Sequence, residues 1–375
     1  MRLRSLALLG LGLGLGCSDP EPPEVATTGT DTEPATGSTS PGTTTSAETT
    51  DAETSPPTGD GTGDESTSDG SDTGEPELDP REVELRTYAP RIWLTADEQY
   101  WPSSVEWAFP EQERFAWEEG RFWLRTLDPL DAPSSTLPFF AGDLATAPVY
   151  AYWADKGDGV VDLVYFVYYP YNRGKSAADT IWGNHVGDWE HITVRLLEQP
   201  DGSHAPSQVY LSAHGFGGAY RWGSGEIEIH DGTHPVVYAA WGSHGFWSDA
   251  GEHVYMSIGE TVLGVCVTLV CTDLSDRTQA GVAWDTWQSV YGMDFFAQEG
   301  LGDATWPVWM SDDFGALGDG DPNVPGMGPI YRWGNPQDCS VLGIPIDITD
   351  LIGVCRLENG PTGPISKDTW GPELL

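Results

Sequence analysis

The residues best suited to chemistry in this chain are His185, Asp188 and Glu190. They lie in the stretch Asn184-His185-Val186-Gly187-Asp188-Trp189-Glu190-His191-Ile192-Thr193-Val194-Arg195-Leu196. From Glu190 onward apolar and polar residues alternate, with Ile192, Val194 and Leu196 on one side and His191, Thr193 and Arg195 on the other. That is the pattern of a half-buried β-strand. The same parity puts Asp188 and Glu190 on the aliphatic side, and two carboxylates at the entrance to a core are costly unless something positive joins them. His185, in a Gly/Asn-flanked loop three residues before Asp188, can fold back toward them. One imidazole and two carboxylates suit a hard or borderline divalent cation, calcium or magnesium ahead of zinc or manganese. Without an ion, the two acids would cap loops or pair with Arg and backbone amides.

All eight histidines fall between His185 and His253. Several end strands or sit in glycine- or proline-flanked turns, as His214, His234 and His244 do, and strand ends along one edge of a scaffold are where ligand sites are built. His214, His244 and Trp189 are therefore candidates for the rim of a ligand site. If the cation activates a water, Glu190 or His214 is the candidate base. Ser103 and Ser243 are weak nucleophile candidates, because the sequence holds no nucleophile elbow, phosphate loop or paired-histidine zinc helix. Trp182, Trp189, Trp222, Trp241 and Trp247 lie near turns, where indoles can stack on sugar rings.

The elements that must position these residues read as short strands with Gly/Pro/Asp turns: Tyr88–Leu94, Val149–Ala154, Val160–Tyr169, Gln208–Ala213, Glu226–His230 and Val236–Trp241. One short helix is expected near Glu113–Leu124, and Ile258–Cys271, Gly281–Trp287 and Pro329–Gly334 read as covering loops and late strands. The fold class is all-β, an antiparallel β-sandwich with long loops and one or two short helices. The joint Asp155-Lys156-Gly157-Asp158-Gly159 has hairpin-turn chemistry, with a calcium loop through Asp155, Asp158 and Asp162 as the rarer alternative.

Residues 81–375 make up this domain, and they carry 42 acidic and 15 basic side chains, a formal net charge of −27. A field of that sign repels nucleic acid and anionic membranes and concentrates cations, which excludes nucleic-acid binding. Residues 17–80 are built mostly from Thr, Ser, Gly, Pro, Asp and Glu, with no Lys or Arg, the composition of a disordered, self-repelling tether. Residues 1–16 have a basic start and a short apolar run, which reads as a secretory signal. Cys17 directly after Leu-Gly-Leu-Gly resembles the lipidation site of a bacterial lipoprotein, although Gly14 stands where that pattern usually has Leu. This implies an exported, cell-envelope protein, in the outer membrane, anchored to the membrane through its N-terminal lipid. The four remaining cysteines, Cys266, Cys271, Cys339 and Cys355, read as two disulfides in such a compartment. Local pairing gives Cys266–Cys271 and Cys339–Cys355, with two other pairings open.

The ordered series Tyr88-Ala89-Pro90, Pro102-Ser103-Ser104-Val105-Glu106-Trp107, Tyr168-Tyr169-Pro170-Tyr171-Asn172, Gly187-Asp188-Trp189-Glu190-His191, Ser212-Ala213-His214-Gly215 and Gly242-Ser243-His244 resembles the vacuolar protein sorting-associated protein 62 family, from Tyr88 to Trp247. A more distant similarity is to the necrosis- and ethylene-inducing-peptide-like cytolysins, β-sandwiches with a Gly-His-Arg-His-Asp-Trp-Glu run that holds a divalent cation used against sphingolipid head groups. Carried over by position, that resemblance implies cation ligands at His185, Asp188 and Glu190, with Asn172, or Asp179 in its place, for the upstream acid. Gly187 stands where the signature has its second His, and Asn184 where it has its leading Gly. The expected function is a tethered module that binds a divalent cation and a glycan or lipid head group. The alternatives are a metal-assisted hydrolase and a membrane-active cytolysin-like protein.

Overall fold

The run from Val160 to Asn172 is apolar on both parities, so a strand made from it must be covered on both faces. In the computed structural model it is. The structure describes residues 78–116, 122–126, 138–177, 180–214, 216–258, 261–262, 265–266, 272–310, 331–339 and 355–374. Leu78–Leu375 forms one compact unit. The signal, Cys17 and nearly all of the tether lie outside the described residues, as do Asp179 and Cys271.

Helix α1 (Pro80–Thr87) opens the unit, with the Asp79 carboxylate accepting from the Arg81 amide at 2.8 Å and Pro80 in the first turn. The strands used below are β1 (Arg91–Leu94), β2 (Gln112–Ala116), β3 (Phe122–Thr126), β4 (Val149–Gly157), β5 (Val160–Asn172), β6 (His185–Glu198), β7 (His204–Ala213) and β8 (Phe216–Arg221). They continue as β9 (Ile229–His230), β10 (His234–Ala239), β11 (Gly251–Ile258), β12 (Thr272–Thr278), β13 (Val282–Asp285), β14 (Val290–Asp294), β15 (Glu299–Gly300) and β16 (Tyr331–Trp333).

The central sheet runs β8-β7-β6-β5-β4-β14-β15. Its β14–β4 pair is parallel and the rest are antiparallel. A second sheet, β9-β10-β1-β13, holds a parallel β1–β10 pair, and a third, β2-β3-β16, a parallel β3–β16 pair. The sheets are thus mixed where a purely antiparallel sandwich was expected. The parallel pairs each join residues more than 100 positions apart, which local turn chemistry cannot announce. The all-β, sandwich-like class stands, with short helices at Pro80–Thr87, Val105–Ala108 and Pro138–Ala141. The expected helix near Glu113–Leu124 is instead the β2–β3 hairpin, because Phe122 and Leu124 are drawn into an aromatic core against Tyr331 and Trp333.

Two cores flank the central sheet. On one face Leu163, Tyr165, Val167, Tyr169, Ile192 and Val194 meet Ile92, Leu94, Val237 and Trp284 of the second sheet. On the other, Tyr150, Tyr152, Phe166, Tyr168 and Trp189 meet Phe122, Trp309, Tyr331 and Trp333. β6 is therefore buried on both faces, not half-buried as its alternation predicts. Even His191 and Thr193 are covered. The joint after β4 is a turn and not a calcium loop. Asp162 is fully buried and accepts from Arg195 Nε and Nη2 at 2.7 and 2.8 Å, and Asp155 accepts from the Gly157 amide.

The β5–β6 register sets Asn172 opposite His185, Tyr169 opposite Asp188 and Val167 opposite Glu190. Val186 and Trp189 join the same aromatic core although three positions apart. Gly187 between them, at φ +69°, shifts the phase of the strand. A Cβ there would lie 2.6 Å from the Trp333 carbonyl oxygen. Histidine, which the cytolysin signature has at this place, does not fit. Gly187→Ala is expected to destabilise the protein by about 2 kcal/mol or more, combining backbone strain with the clash. Urea unfolding of the two proteins side by side measures it, and equal midpoints would contradict the phase-shift account.

Candidate functional site

The ladder between β6 and β7 ends at Ile192 opposite Leu211. Past that point the Ser212 hydroxyl takes the place of a backbone partner. It accepts from the His191 amide at 2.8 Å and donates its own proton to Glu190 Oε2 in a short hydrogen bond. The strands part there, and a cleft of about 550 Å³ opens between them, lined on the sheet side by Asn172, His185, Asp188, Glu190, Ser212 and His214. The C-terminal segment supplies the opposite wall with Asn359, Pro361, Lys367, Asp368 and Thr369.

Asp188 and Glu190 are both buried, and their surroundings treat them oppositely. Asp188 Oδ2 accepts from Asn172 Nδ2 at 3.2 Å and from His244 Nδ1 at 3.1 Å, and Oδ1 accepts from the Trp189 amide at 3.0 Å. Burial pushes its carboxyl up, but the His244 hydrogen bond, the nearby His185 and His244 imidazoles and the Asn172 amide together hold it below the usual range. Glu190 has the Ser212 hydroxyl. Burial, then the neighbouring Asp188 charge, raises its carboxyl well above the ordinary value. The surroundings therefore pull the two carboxyls apart, Asp188 toward the ionised form and Glu190 toward the protonated one.

His185 begins β6, where the sequence reading had a loop. Its Nδ1 lies 2.8 Å from the Gly187 carbonyl and must donate to it, which leaves Nε2 as the acceptor nitrogen. Burial above all lowers its pKa, so the ring is held neutral. Asn172 lines the cleft too, but its amide is spent on Asp188 and on the Ser243 carbonyl.

The rim candidates divide. His214 lines the cleft, at φ +53°, stacked on Tyr255 at 3.8 Å, with Nε2 2.8 Å from Asp276 Oδ2. His244 is no rim residue. It is fully buried at φ +64°, stacked on Tyr169 at 3.7 Å, and its Nε2 reaches the Tyr100 carbonyl. Both of its ring nitrogens thus lie within hydrogen-bond distance of an oxygen. Trp189 touches the cleft but is 1% exposed, packed among Tyr150, Tyr168, Trp309 and Trp333. Trp182, Trp222, Trp241 and Trp247 do not line the cleft; Tyr210 does. Ser103 is buried on the Ser104 carbonyl, and the Ser243 hydroxyl donates to Asp276 at 2.6 Å, so neither is placed as a nucleophile. Cys339 and Cys355 form a disulfide, as the local pairing expects, while the Cys266–Cys271 pairing falls partly outside the described residues.

Sequence reasoning missed Asp276, Ser212 and Lys367. Asp276 is fully buried and gathers His214, Ser243, Trp247 Nε1 at 3.0 Å and Lys175 Nζ at 3.0 Å. Burial pushes its carboxyl up, but the His214 hydrogen bond, the His214 and Lys175 charges and Ser243 outweigh it and depress the pKa strongly. A carboxyl whose folded pKa is depressed contributes stability above its unfolded value near 4 and loses it as pH falls through the folded value. Asp276→Asn should therefore cost about 3 kcal/mol at neutral pH by stranding its partners, and the gap between variant and wild type should narrow on acidification below about pH 4. Denaturant melts at pH 7 and pH 3 test this; a gap independent of pH would contradict it.

Residues 114–268 match the family model described as vacuolar protein sorting-associated protein 62. Two Saccharomyces cerevisiae proteins are similar, vacuolar protein sorting-associated protein 62 and the putative vacuolar protein sorting-associated protein TDA6. Each is 28% identical, over 247 and 275 residues, covering 52% and 65% of this chain. The chain spans about half the length of these curated relatives, 50% of each. Among solved structures, Necrosis and Ethylene inducing Protein 2 from the causal agent of cocoa's Witches Broom disease aligns at TM-score 0.30 and 23% identity, over 46% of this chain and 69% of that one. NLPPya in complex with glucosamine aligns at TM-score 0.31 and 16% identity, over 63% and 87%. The distant similarity to the necrosis-inducing proteins is thus met again among solved structures. By motif and by family model alike, the segment 114–268, which carries the sheet-side wall of the cleft, is similar to the vacuolar protein sorting-associated protein 62 family.

Proposed function

We propose that the cleft binds a small polar ligand, a glycan or lipid head group, together with a divalent cation. One observation carries this reading: two buried carboxyl groups line one cleft, and among the described residues only Asp188 has an imidazole in hydrogen-bond contact. Burying a second carboxyl with one hydroxyl for company is costly, and a cation would remove that cost.

The donors fit an ion in part. His185 Nε2 and Glu190 are available, while Asp188 is already engaged by His244 and Asn172. Among the described residues no group of three or more His, Cys, Asp and Glu side chains forms a metal cage by itself. A hard ion that keeps several waters and takes one or two carboxylates suits such a site, which again favours magnesium or calcium. Bound there, the ion would supply a Lewis-acidic centre for ligand hydroxyls. The protein's own part is to orient His185 through Gly187, fix Asp188 through His244, and offer Ser212, Asn359 and Tyr210 as polar contacts.

Glu190→Gln tests the site. The amide replaces a carboxyl that burial pushes toward its neutral form, so stability without added cation should stay within about 1 kcal/mol of wild type or rise. Bound divalent ion, read by native mass spectrometry of the full chain with and without chelator, should be lost. Unchanged ion content would refute the proposal. Export and lipid attachment at Cys17 belong to the same reading and rest on the N-terminal sequence. Cys17→Ser is expected to move the protein from the membrane to the soluble envelope fraction, and equal membrane retention would overturn the anchor.

A further inference from the structure

We propose that the C-terminal wall of the cleft is an oxyanion subsite in which Lys367 is the charged donor, so that the ligand is a polyol carrying a phosphate or carboxylate. The inference rests on the binding reading above and names the ligand class it leaves open.

Lys367 lines the cleft, half-buried, and among the described residues its side chain enters no ion pair and no hydrogen bond. Such a lysine is unexpected in so acidic a domain unless its place is specified, and the backbone around it is specified closely. It sits between two 3-10 turns, Pro364–Ser366 and Asp368–Trp370, with its amide on the Pro364 carbonyl at 3.1 Å. Trp370 braces the second turn, stacked on Phe295 at 3.5 Å with Nε1 on the Pro364 carbonyl. Buried Lys156 holds the Thr369 and Gly371 carbonyls at 2.7 Å, and Arg195 Nη2 holds the Pro372 carbonyl at 3.1 Å. The ammonium is thus carried on a pinned segment into a cleft that also holds the acid pair.

The bland alternative is that Lys367 merely offsets Glu190. Its charge does reach Glu190, but without ion-pair contact. A divalent ion at Glu190 would leave that lysine beside added positive charge, since Asp188 is already engaged by His244, Asn172 and the Trp189 amide and Asp368 is exposed to solvent. An anion on the ligand balances the loaded cleft, and a charge-assisted contact of that kind is stronger than a neutral one.

The test is calorimetric titration of the full chain, with magnesium or calcium present, using glucose, glucose 6-phosphate and glucuronate. A second arm is sedimentation with phosphatidylcholine vesicles, with and without phosphatidylinositol. A charged probe should bind about tenfold or more tightly than glucose, Lys367→Met should abolish that preference, and Lys367→Arg should keep it. Preference confined to phosphatidylinositol vesicles supports the subsite with a lipid source, and preference among the free sugars supports it with a soluble source. Equal binding of charged and neutral probes, binding of none of them, or a preference unaffected by Lys367→Met overturns it. Ion content measured on the same samples separates the two readings: cation retained without anion preference sinks the subsite alone, and cation absent sinks the site beneath it.

Discussion

A charged carboxylate survives inside this protein because a histidine is buried with it. Asp188 and His244 are 56 positions apart, and their contact fastens the end of β6 to the loop after β10. His244 is fixed from three sides, by Asp188, by the Tyr100 carbonyl and by the face of Tyr169. Each buried ion costs several kcal/mol after relaxation. A fully buried Tyr or Trp removes roughly 150–250 Å² from water, which returns about 4–6 kcal/mol at the usual coefficient. Trp189, Tyr165, Tyr168, Tyr169 and Tyr171 are all nearly inaccessible, so the aromatic cores on both faces can carry a costly buried carboxylate at the sheet's end.

The two acids of β6 differ because their neighbours differ. Asp188 meets an imidazole, a carboxamide and a backbone amide, whereas Glu190 meets a hydroxyl at the point where the β6–β7 ladder gives out. A sheet that continued its ladder would have closed this gap with backbone hydrogen bonds. Ser212 instead bridges the strands through its side chain and leaves room beside Glu190. Local rules broken without compensation inside the fold mark sites of function or strain, and Glu190 is the clearest such break in the cleft.

Much of this was legible in sequence, for reasons that differ by residue. The alternation after Glu190 marks β6, and the two-residue spacing of Asp188 and Glu190 brings both to one cleft. His185 was placed near them, but as a loop residue; it reaches them on a strand because Gly187 shifts the pleat, a backbone conformation that the letter glycine permits without declaring. His214 was singled out from its strand end, yet its partner Asp276 lies 62 positions on, in β12, where nothing local distinguishes one Asp from another. His244 was read as a rim residue because a glycine-flanked turn suggests exposure, and tertiary packing buried it. The β2–β3 hairpin was missed because its apolar residues are claimed by β16, about 200 positions downstream by chain order.

The cleft has two walls from different segments of the chain, and they differ in how far the core constrains them. The sheet wall belongs to the segment similar to the vacuolar protein sorting-associated protein 62 family and holds the acid pair. The other wall lies beyond residue 268, on a segment tied to the rest by the Cys339–Cys355 disulfide, by the pairing of Leu357 with Asn184 and Asp338, and by the Trp333 amide on the Pro361 carbonyl. Those ties hold the backbone and leave the side chains Asn359, Lys367 and Asp368 to face the cleft. The sheet wall, built from a buried strand, tolerates little change, since its residues are also packing residues. The outer wall can exchange side chains at little cost to the core, so the chemistry of the cleft is physically most easily altered there.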